Sequence, residues 1–165
     1  EWVVMEDEGP GAIVRFWVPW RNQLKPGTNT VIRFYLDGAS EPAIEGNMFE
    51  LFQGKGLVPF PLAHESLRSA VSFFPIPYAE SCKVTMSDYP FFFQLTYREY
   101  DDDVNVKTFS MKDFKAAKSL IDSTCQSLLN PEQTSAGKVV RMSESIDGCQ
   151  EQSISLPDGT AAVRA

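Results

Sequence analysis

The sequence predicts a mainly β protein: an antiparallel β-sandwich in a single domain, residues 1–165, with one amphipathic helix at about residues 110–130. Two patterns carry this prediction. Short runs of alternating apolar and polar residues fill roughly the first 110 residues, and Gly, Pro, Asn or Asp bounds each run. A later segment instead repeats its apolar residues at helical spacing. The composition, 43% hydrophobic and 22% charged, is sufficient for a folded core.

The strand predictions begin after the turn Gly9-Pro10-Gly11, because Pro fixes φ and glycine accepts positive φ. Residues 12–18 alternate, with Ala12, Val14, Phe16 and Val18 on one face and Ile13, Arg15 and Trp17 on the other. Residues 30–37 place Ile32, Phe34 and Leu36 on one face, and Asp37-Gly38 is a hairpin signal. Further strands are predicted at residues 69–75, 81–86, 91–100 and 104–109, a helical turn at 48–52, and two short strands at 138–142 and 152–156.

The predicted helix has a start signal, an apolar stripe and a stop signal. Ser110 is placed to cap its first turn, with Asp113 three residues later. The stripe repeats at three- and four-residue spacing and consists of Phe114, Ala117, Ile121, Cys125 and Leu128. Asn130-Pro131 ends the helix, because Pro lacks the backbone donor that would continue it.

Charge and hydropathy exclude several classes of protein. Lys and Arg number 15 against 22 Asp and Glu, a net charge of −7, and the cations are scattered, so a nucleic-acid partner is not expected. Uncharged stretches such as Ser69 to Ala79 are far shorter than the ~20 apolar residues of a membrane span. The chain begins at Glu1 without Met and ends on residues typical of a strand start, so a fragment of a longer protein is expected.

Searches for catalytic and metal-binding motifs give no site. The sequence has a single histidine, His64, and no Gly-x-Ser-x-Gly nucleophile elbow with which a catalytic histidine would act. The acidic run 101–105 begins like a calcium loop, but Val106 and Lys112 stand where that loop needs Gly and Glu. Three separated cysteines do not form a zinc motif, and no phosphate-binding glycine loop occurs, so no cofactor is expected. The carboxylates Asp37, Glu41, Glu45 and Glu50 are available for acid–base chemistry without any pattern that selects a pair.

Aromatic residues are the remaining functional signal. Trp17 and Trp20, with Tyr35 and Phe60, offer flat apolar faces of the kind on which sugar rings stack. The same residues also fit the core and rim of a sandwich. Both interpretations remain open from the sequence.

Five motifs in order resemble the N-terminal half of glycoside hydrolase family 172, over about residues 8–100. They are Gly9-Pro10-Gly11-Ala12-Ile13-Val14-Arg15-Phe16-Trp17, Ile32-Arg33-Phe34-Tyr35-Leu36-Asp37-Gly38, Glu41-Pro42-Ala43-Ile44-Glu45, Phe49-Glu50-Leu51-Phe52-Gln53-Gly54 and Phe74-Pro75-Ile76-Pro77-Tyr78-Ala79-Glu80-Ser81-Cys82-Lys83-Val84. The resemblance implies a jelly-roll-like β-sandwich that forms part of a longer, oligomeric protein with two such jelly rolls.

The resemblance also implies a function. Family members cleave or rearrange fructofuranosyl or arabinofuranosyl linkages with a retaining pair of carboxylates. Their two glutamates lie in motifs resembling Gly-Glu-Gly-Asp-Glu and Gly-Thr-Glu-Asp-Tyr, and neither motif occurs in this chain. The sequence therefore supplies no catalytic residue. We expect a carbohydrate ligand, self-association, the missing C-terminal half as a partner, and a secreted or periplasmic location. The alternative is a non-catalytic carbohydrate-binding or assembly module.

Three positions are predicted to contact a sugar, on the basis of the resemblance: Arg15, Trp17 and Asp37. The structural alternative gives Trp17 a place in the core and pairs Arg15 with Asp37 across neighbouring strands. Both alternatives can be checked against the fold.

Overall fold

The computed structural model describes residues 1–20, 28–89 and 92–131, together with residues 145, 148, 151 and 153. The chain divides into two units, Glu1–Cys125 and Gln126–Ala165. The described strands all lie in the first unit. In chain order they are β1 (Trp2–Glu8), β2 (Gly11–Pro19), β3 (Val31–Leu36), β4 (Ile44–Asn47), β5 (Ala63–Glu65), β6 (Ser69–Ser72), β7 (Ile76–Tyr78), β8 (Ser81–Met86) and β9 (Gln94–Glu99).

Three helices accompany the strands. They are α1 (Met48–Phe52), α2 (Met111–Ala116) and α3 (Lys118–Leu129), and the second unit begins inside α3. Asn47 caps α1 because its Oδ1 accepts hydrogen bonds from the backbone N–H groups of Phe49 and Glu50. Ser110 caps α2 in the same way by accepting from the Asp113 N–H at 3.1 Å. Within the described ranges, no helix is both long and apolar enough to cross a membrane.

The strands form two antiparallel sheets. One is four-stranded in the order β1-β8-β3-β4. In the other, five-stranded sheet, β5, β6 and β7 lie on one side of β2, and β9 pairs with the opposite side of β2. The inward side chains of the two sheets form one core, and α1 adds its buried face. This arrangement confirms the predicted mainly β, antiparallel sandwich.

The alternation of buried and exposed residues predicted for β3 is confirmed. In β2 the buried positions change from one face of the predicted alternation to the other partway along the strand. Ile32, Phe34 and Leu36 are all buried. On β2, Ile13 and Phe16 both belong to the core although they are three positions apart, a spacing at which strict alternation puts residues on opposite faces. A β-bulge at Val14, where the register with β9 shifts between Ile13 and Arg15, makes this possible. As a result Arg15 and Trp17 lie on the outer face, as the sequence predicted.

The helix predicted at about residues 110–130 is interrupted. Its boundaries are close to the prediction, but Ala117 ends α2 with φ −83° and ψ 4° before α3 begins. No Gly or Pro lies between Met111 and Leu129, so the sequence carries no signal for this break. The predicted stripe is only partly buried, because Cys125 is enclosed whereas Leu128 is 55% exposed.

The strand predicted at residues 104–109 is wrong, because this segment is irregular. It makes a single backbone hydrogen bond to a strand, from Phe109 N–H to Pro77 O at 2.9 Å, and Val104 is exposed. Phe109 instead packs its ring against Phe74 and Phe114. The strands predicted at residues 138–142 and 152–156 lie outside the described residues.

Candidate functional site

One surface of the sandwich combines aromatic, cationic and amide side chains. Strand pairing places His64 beside Val71, Val71 beside Trp17, and Trp17 beside Gln94, so these residues share the outer face of the five-stranded sheet. We call this surface the aromatic platform and define it as Phe60, His64, Phe73, Arg15, Trp17 and Gln94. The Phe60 and Phe73 rings are 54% and 47% exposed, so much of their apolar surface faces solvent.

The bulge in β2 determines what Arg15 can do. Without the extra residue Val14, strict alternation from the buried Ile13 would turn Arg15 toward the core. In the folded chain Arg15 Nη1 donates a hydrogen bond of 2.7 Å to Gln94 Oε1. Its guanidinium carbon also lies 6.0 Å from the centroid of the Phe73 ring, a cation–π distance. The cation is therefore held in one orientation on the platform.

His64 continues the platform toward Phe60. Its ring centroid lies 5.9 Å from that of Phe60 and 6.2 Å from that of Phe73. The contact of 3.2 Å between His64 Nδ1 and Pro61 O requires the ring to donate its Nδ1–H, since a carbonyl only accepts. In the neutral ring this leaves Nε2 as an acceptor for a ligand hydroxyl.

A glycine allows the loop that carries Phe60 to lie close to β5. Gly54 has φ +79°, and a Cβ at this position would collide with Ala63 O. The Phe60 N–H also donates to Gly54 O at 3.1 Å. The sequence Gly54-Lys55-Gly56 thus serves a close backbone approach, since a Cβ on Gly56 would likewise collide with Glu50 O.

The third predicted sugar contact, Asp37, lies elsewhere. It follows β3 in the four-stranded sheet, at φ 52°, a left-handed conformation that Asp tolerates. Its Oδ1 accepts hydrogen bonds from the N–H groups of Ala79, Glu80 and Ser81 at 3.0, 2.7 and 3.2 Å. Thr108 Oγ1 donates to the other carboxylate oxygen. Asp37 therefore joins the end of β3 to the chain before β8 and to the irregular segment 101–110.

These contacts explain the electrostatics of Asp37. Burial raises the pKa of its carboxyl, but the hydrogen bonds from Thr108 and from the three backbone N–H groups outweigh burial and lower the pKa below its ordinary value. The ion pair expected between Arg15 and Asp37 is wrong, because the two residues lie in different sheets and have different partners. The structure thus brings Arg15 and Trp17 together and leaves Asp37 apart from them.

The other aromatic candidates divide between three environments. Phe60 belongs to the platform. Tyr35 lies on the outer face of the four-stranded sheet, where it lines an open groove of about 460 Å³ with Glu6, Glu8 and Lys83. Trp20 is partly buried and packs against the core. Sequence reasoning missed Phe73, His64 and Gln94 as members of the site, because only strand pairing places them beside Arg15 and Trp17.

Nucleophilic and metal chemistry finds little support in the first unit. Burial, together with the charges of Asp7 and Asp37, raises the pKa of the Cys82 thiol to about 12, so this thiol stays protonated at neutral pH. Glu45 is engaged by Arg33 Nε at 2.7 Å. Among the residues that the structure describes, no three His, Cys, Asp or Glu side chains group to hold a metal ion.

Together, the fold and the platform define a β-sandwich domain with an exposed aromatic surface on one sheet. The family model of the GH172 first β-sandwich domain matches residues 1–117. The chain therefore belongs to glycoside hydrolase family 172, which confirms the resemblance seen in its motifs. The matched region ends at Ala117, the residue that ends α2. No curated protein sequence matches the chain.

Proposed function

We propose that this chain is the N-terminal portion of a glycoside hydrolase that acts on fructofuranosyl or arabinofuranosyl linkages, and that its aromatic platform contacts the saccharide. The observation that supports this proposal is the platform itself, in a domain of a glycoside hydrolase family. The C–H faces of a sugar ring stack on indole and phenyl rings, while amide, imidazole and guanidinium groups bond its hydroxyls. The platform supplies each of these groups.

The proposal gives the three predicted contact residues different roles. Trp17 supplies the stacking surface, and Arg15, held by Gln94 and Phe73, supplies oriented donors. Asp37 has its carboxylate oxygens occupied by internal donors, so we assign it to holding the fold. The catalytic glutamates are placed outside these residues, since the family motifs that carry them are absent from the sequence.

We infer a partner surface along the side of the sandwich formed by the edge strands β1 and β9. Tyr78 Oη donates to Asp7 Oδ2 of β1 at 2.7 Å, and Gly11 of β2 pairs with both Tyr78 and Glu99 of β9, so β1 and β9 lie near the same end of β2. In the described chain β9 pairs only with β2, and β1 only with β8. Trp2, Val3, Tyr97 and other exposed apolar side chains lie on these strands and beside them. Exposed edges of this kind are usually covered.

We propose that a second β-sandwich of the same protein covers this side, because the matched domain is the first sandwich of its family. Hydrogen exchange of the β9 amides tests the proposal in this chain and in a longer chain that includes the second sandwich. Protection that appears only in the longer chain supports it. Protection that depends on the concentration of the present chain indicates a second copy instead, and equal exchange in both chains contradicts any docking here.

The central test of the platform is Trp17→Ala. We expect it to weaken binding of an arabinofuranosyl or fructofuranosyl oligosaccharide about tenfold, because the stacking contact is lost. Isothermal titration measures the affinity, and thermal unfolding shows whether the variant still unfolds cooperatively. Tyr35→Ala is the matched control, since it removes an aromatic ring from the outer face of the other sheet. Equal affinities of Trp17→Ala and the unsubstituted chain would remove Trp17 from the site, and a loss of folding would return it to the core.

The alternative function is a non-catalytic carbohydrate-binding or assembly module. The same platform serves such a module, so binding alone does not separate the two functions. Hydrolysis of an aryl furanoside by the full-length gene product favours the enzyme. Saccharide binding without hydrolysis by that product favours the module. For the present chain alone we expect no hydrolysis, because it lacks the catalytic glutamates.

A further inference from the structure

The outer face of the five-stranded sheet carries cations without carboxylates beside them. Successive outward positions of β9 are Gln94, Thr96 and Arg98, which pair with Trp17, Arg15 and Ala12 of β2. The next outward positions across the sheet are Val71 and His64. None of these positions holds Asp or Glu, although acidic residues outnumber basic ones by 22 to 15 in the whole chain.

Neither arginine on this face has an acidic partner among the described residues. In the described part of the chain Arg15 and Arg98 form no ion pair, whereas Arg33 and Lys83 on the opposite face each pair with glutamate. Among the described residues, the hydrogen-bond acceptor of Arg15 is neutral: the amide oxygen of Gln94 at 2.7 Å. Its positive charge is therefore oriented but not neutralised.

We propose, on the basis of the proposed function, that the saccharide bound by the platform carries an anionic group, a carboxylate or a phosphate, that pairs with Arg15. The guanidinium has five N–H donors in a planar fork, and Gln94 occupies one nitrogen. A carboxylate or phosphate matches the remaining donors in a bidentate geometry. Arg98 occupies the next outward position of the same edge strand after Thr96, the partner of Arg15, and adds positive potential.

The surroundings of Arg15 favour an anion over a neutral hydroxyl. The Phe73 ring, 6.0 Å from the guanidinium carbon, replaces part of the water around the cation. A charge pair gains strength where water is displaced, whereas a hydroxyl gains little from the positive charge. A sugar that stacks across Trp17 and Phe73 would bring its substituents to Arg15.

A matched pair of ligands tests the proposal: an arabinofuranosyl trisaccharide and the same trisaccharide with a phosphate on its terminal 5-hydroxyl. Calorimetric titration of the unsubstituted chain should give an affinity for the phosphorylated ligand about tenfold higher, and the difference should shrink at high salt. Arg15→Gln should reduce the difference between the two ligands to less than about twofold. Arg33→Gln, which removes a cation from the opposite face, is the control and should leave the difference unchanged.

The outcomes separate this proposal from the proposed function. Equal affinity for both trisaccharides overturns the anionic preference and leaves the platform as a sugar site. Binding of neither overturns both. A preference that persists in Arg15→Gln overturns the role of Arg15. If Arg15→Gln does not fold, the ligand preference of Arg15→Lys and the salt dependence of the preference in the unsubstituted chain test the proposal instead. A preference that does not change with salt concentration contradicts a charge pair.

Discussion

The two outer faces of the sandwich differ although their inner faces share one core. On the four-stranded sheet, Arg33 lies between Glu1 and Glu45, and Lys83 pairs with Glu6 at 3.4 Å. On the five-stranded sheet, the aromatic platform exposes phenyl rings and holds Arg15 against a neutral amide. On the first face, each of these two cations has a glutamate partner. On the second, the described partners of Arg15 are neutral, and we assign its charge and the exposed rings to saccharide binding.

This difference shows which features indicate function in a β-sandwich. The outward face of a sandwich strand needs only polar side chains that are compatible with water. Cross-strand ion pairs such as Arg33 with Glu45 meet this need. Exposed aromatic rings are not needed for folding, so a cluster of them has another origin. The groove of about 460 Å³ on the four-stranded sheet is lined mainly by acidic and small polar side chains. Tyr35 is the one aromatic residue that the structure describes in its lining, so the groove lacks the aromatic cluster that supports the platform as the site.

The largest effect on stability is expected at Asp37, the predicted contact residue outside the platform. Asp37→Ala removes four internal hydrogen bonds and should lower the free energy of unfolding by about 3 kcal/mol. Chemical denaturation measures this change. Saccharide affinity of the folded variant should stay unchanged. A loss of saccharide affinity with unchanged stability would indicate that the site includes Asp37 near the four-stranded sheet. It would contradict the assignment of binding to the five-stranded sheet alone.

The pH dependence of stability tests whether Asp37 stabilises the fold. Since the folded-state pKa of Asp37 is lowered, its contribution is fully present above the unfolded-state pKa and is lost as pH falls through the folded-state value. Asp37→Asn keeps an acceptor and tolerates the left-handed backbone, but it does not titrate. We expect it to be less stable than the unsubstituted chain at neutral pH, with the difference narrowing in acid. A constant difference would contradict the assignment.

Part of the fold was predictable because alternation reports directly on burial. It located β2, β3 and β8. It missed β4, β5 and β7, of three or four residues each, because such short strands are defined by their neighbours rather than by their own pattern. It also missed β1, where the residues from Trp2 to Met5 are all apolar and the register shifts between Val3 and Met5. The bulge at Val14 and the break at Ala117 were also missed, since neither has a Gly or Pro signal.

The site was predictable only where one strand carried it. Arg15 and Trp17 are two residues apart on β2, so a single alternation placed both outward. Phe73, His64 and Gln94 come from segments up to 79 residues away from Arg15, and strand order, which local pattern does not encode, brings them together. The internal partners of Asp37 were not predictable either, because its donors Ala79, Glu80 and Thr108 lie 42, 43 and 71 residues away in sequence.

The smallest predicted effects compare one arginine from each face. Arg33→Gln should lower the free energy of unfolding by about 1 kcal/mol, because it breaks a bridge between two glutamates whose side chains remain partly exposed. The loss should diminish at high salt. Arg15→Gln should cost less than about 0.5 kcal/mol, since it breaks no ion pair.

Saccharide binding should respond in the opposite order, with Arg15→Gln affecting affinity and Arg33→Gln leaving it intact. Urea unfolding of both variants at two salt concentrations measures the change in stability. Calorimetric titration of both variants measures the change in saccharide affinity. If the same variant had the larger effect on both stability and affinity, the proposed division, with stability on one face and saccharide binding on the other, would be contradicted. These opposite rankings follow from the described partners of each cation, since Arg33 pairs with two glutamates and Arg15 bonds a neutral amide.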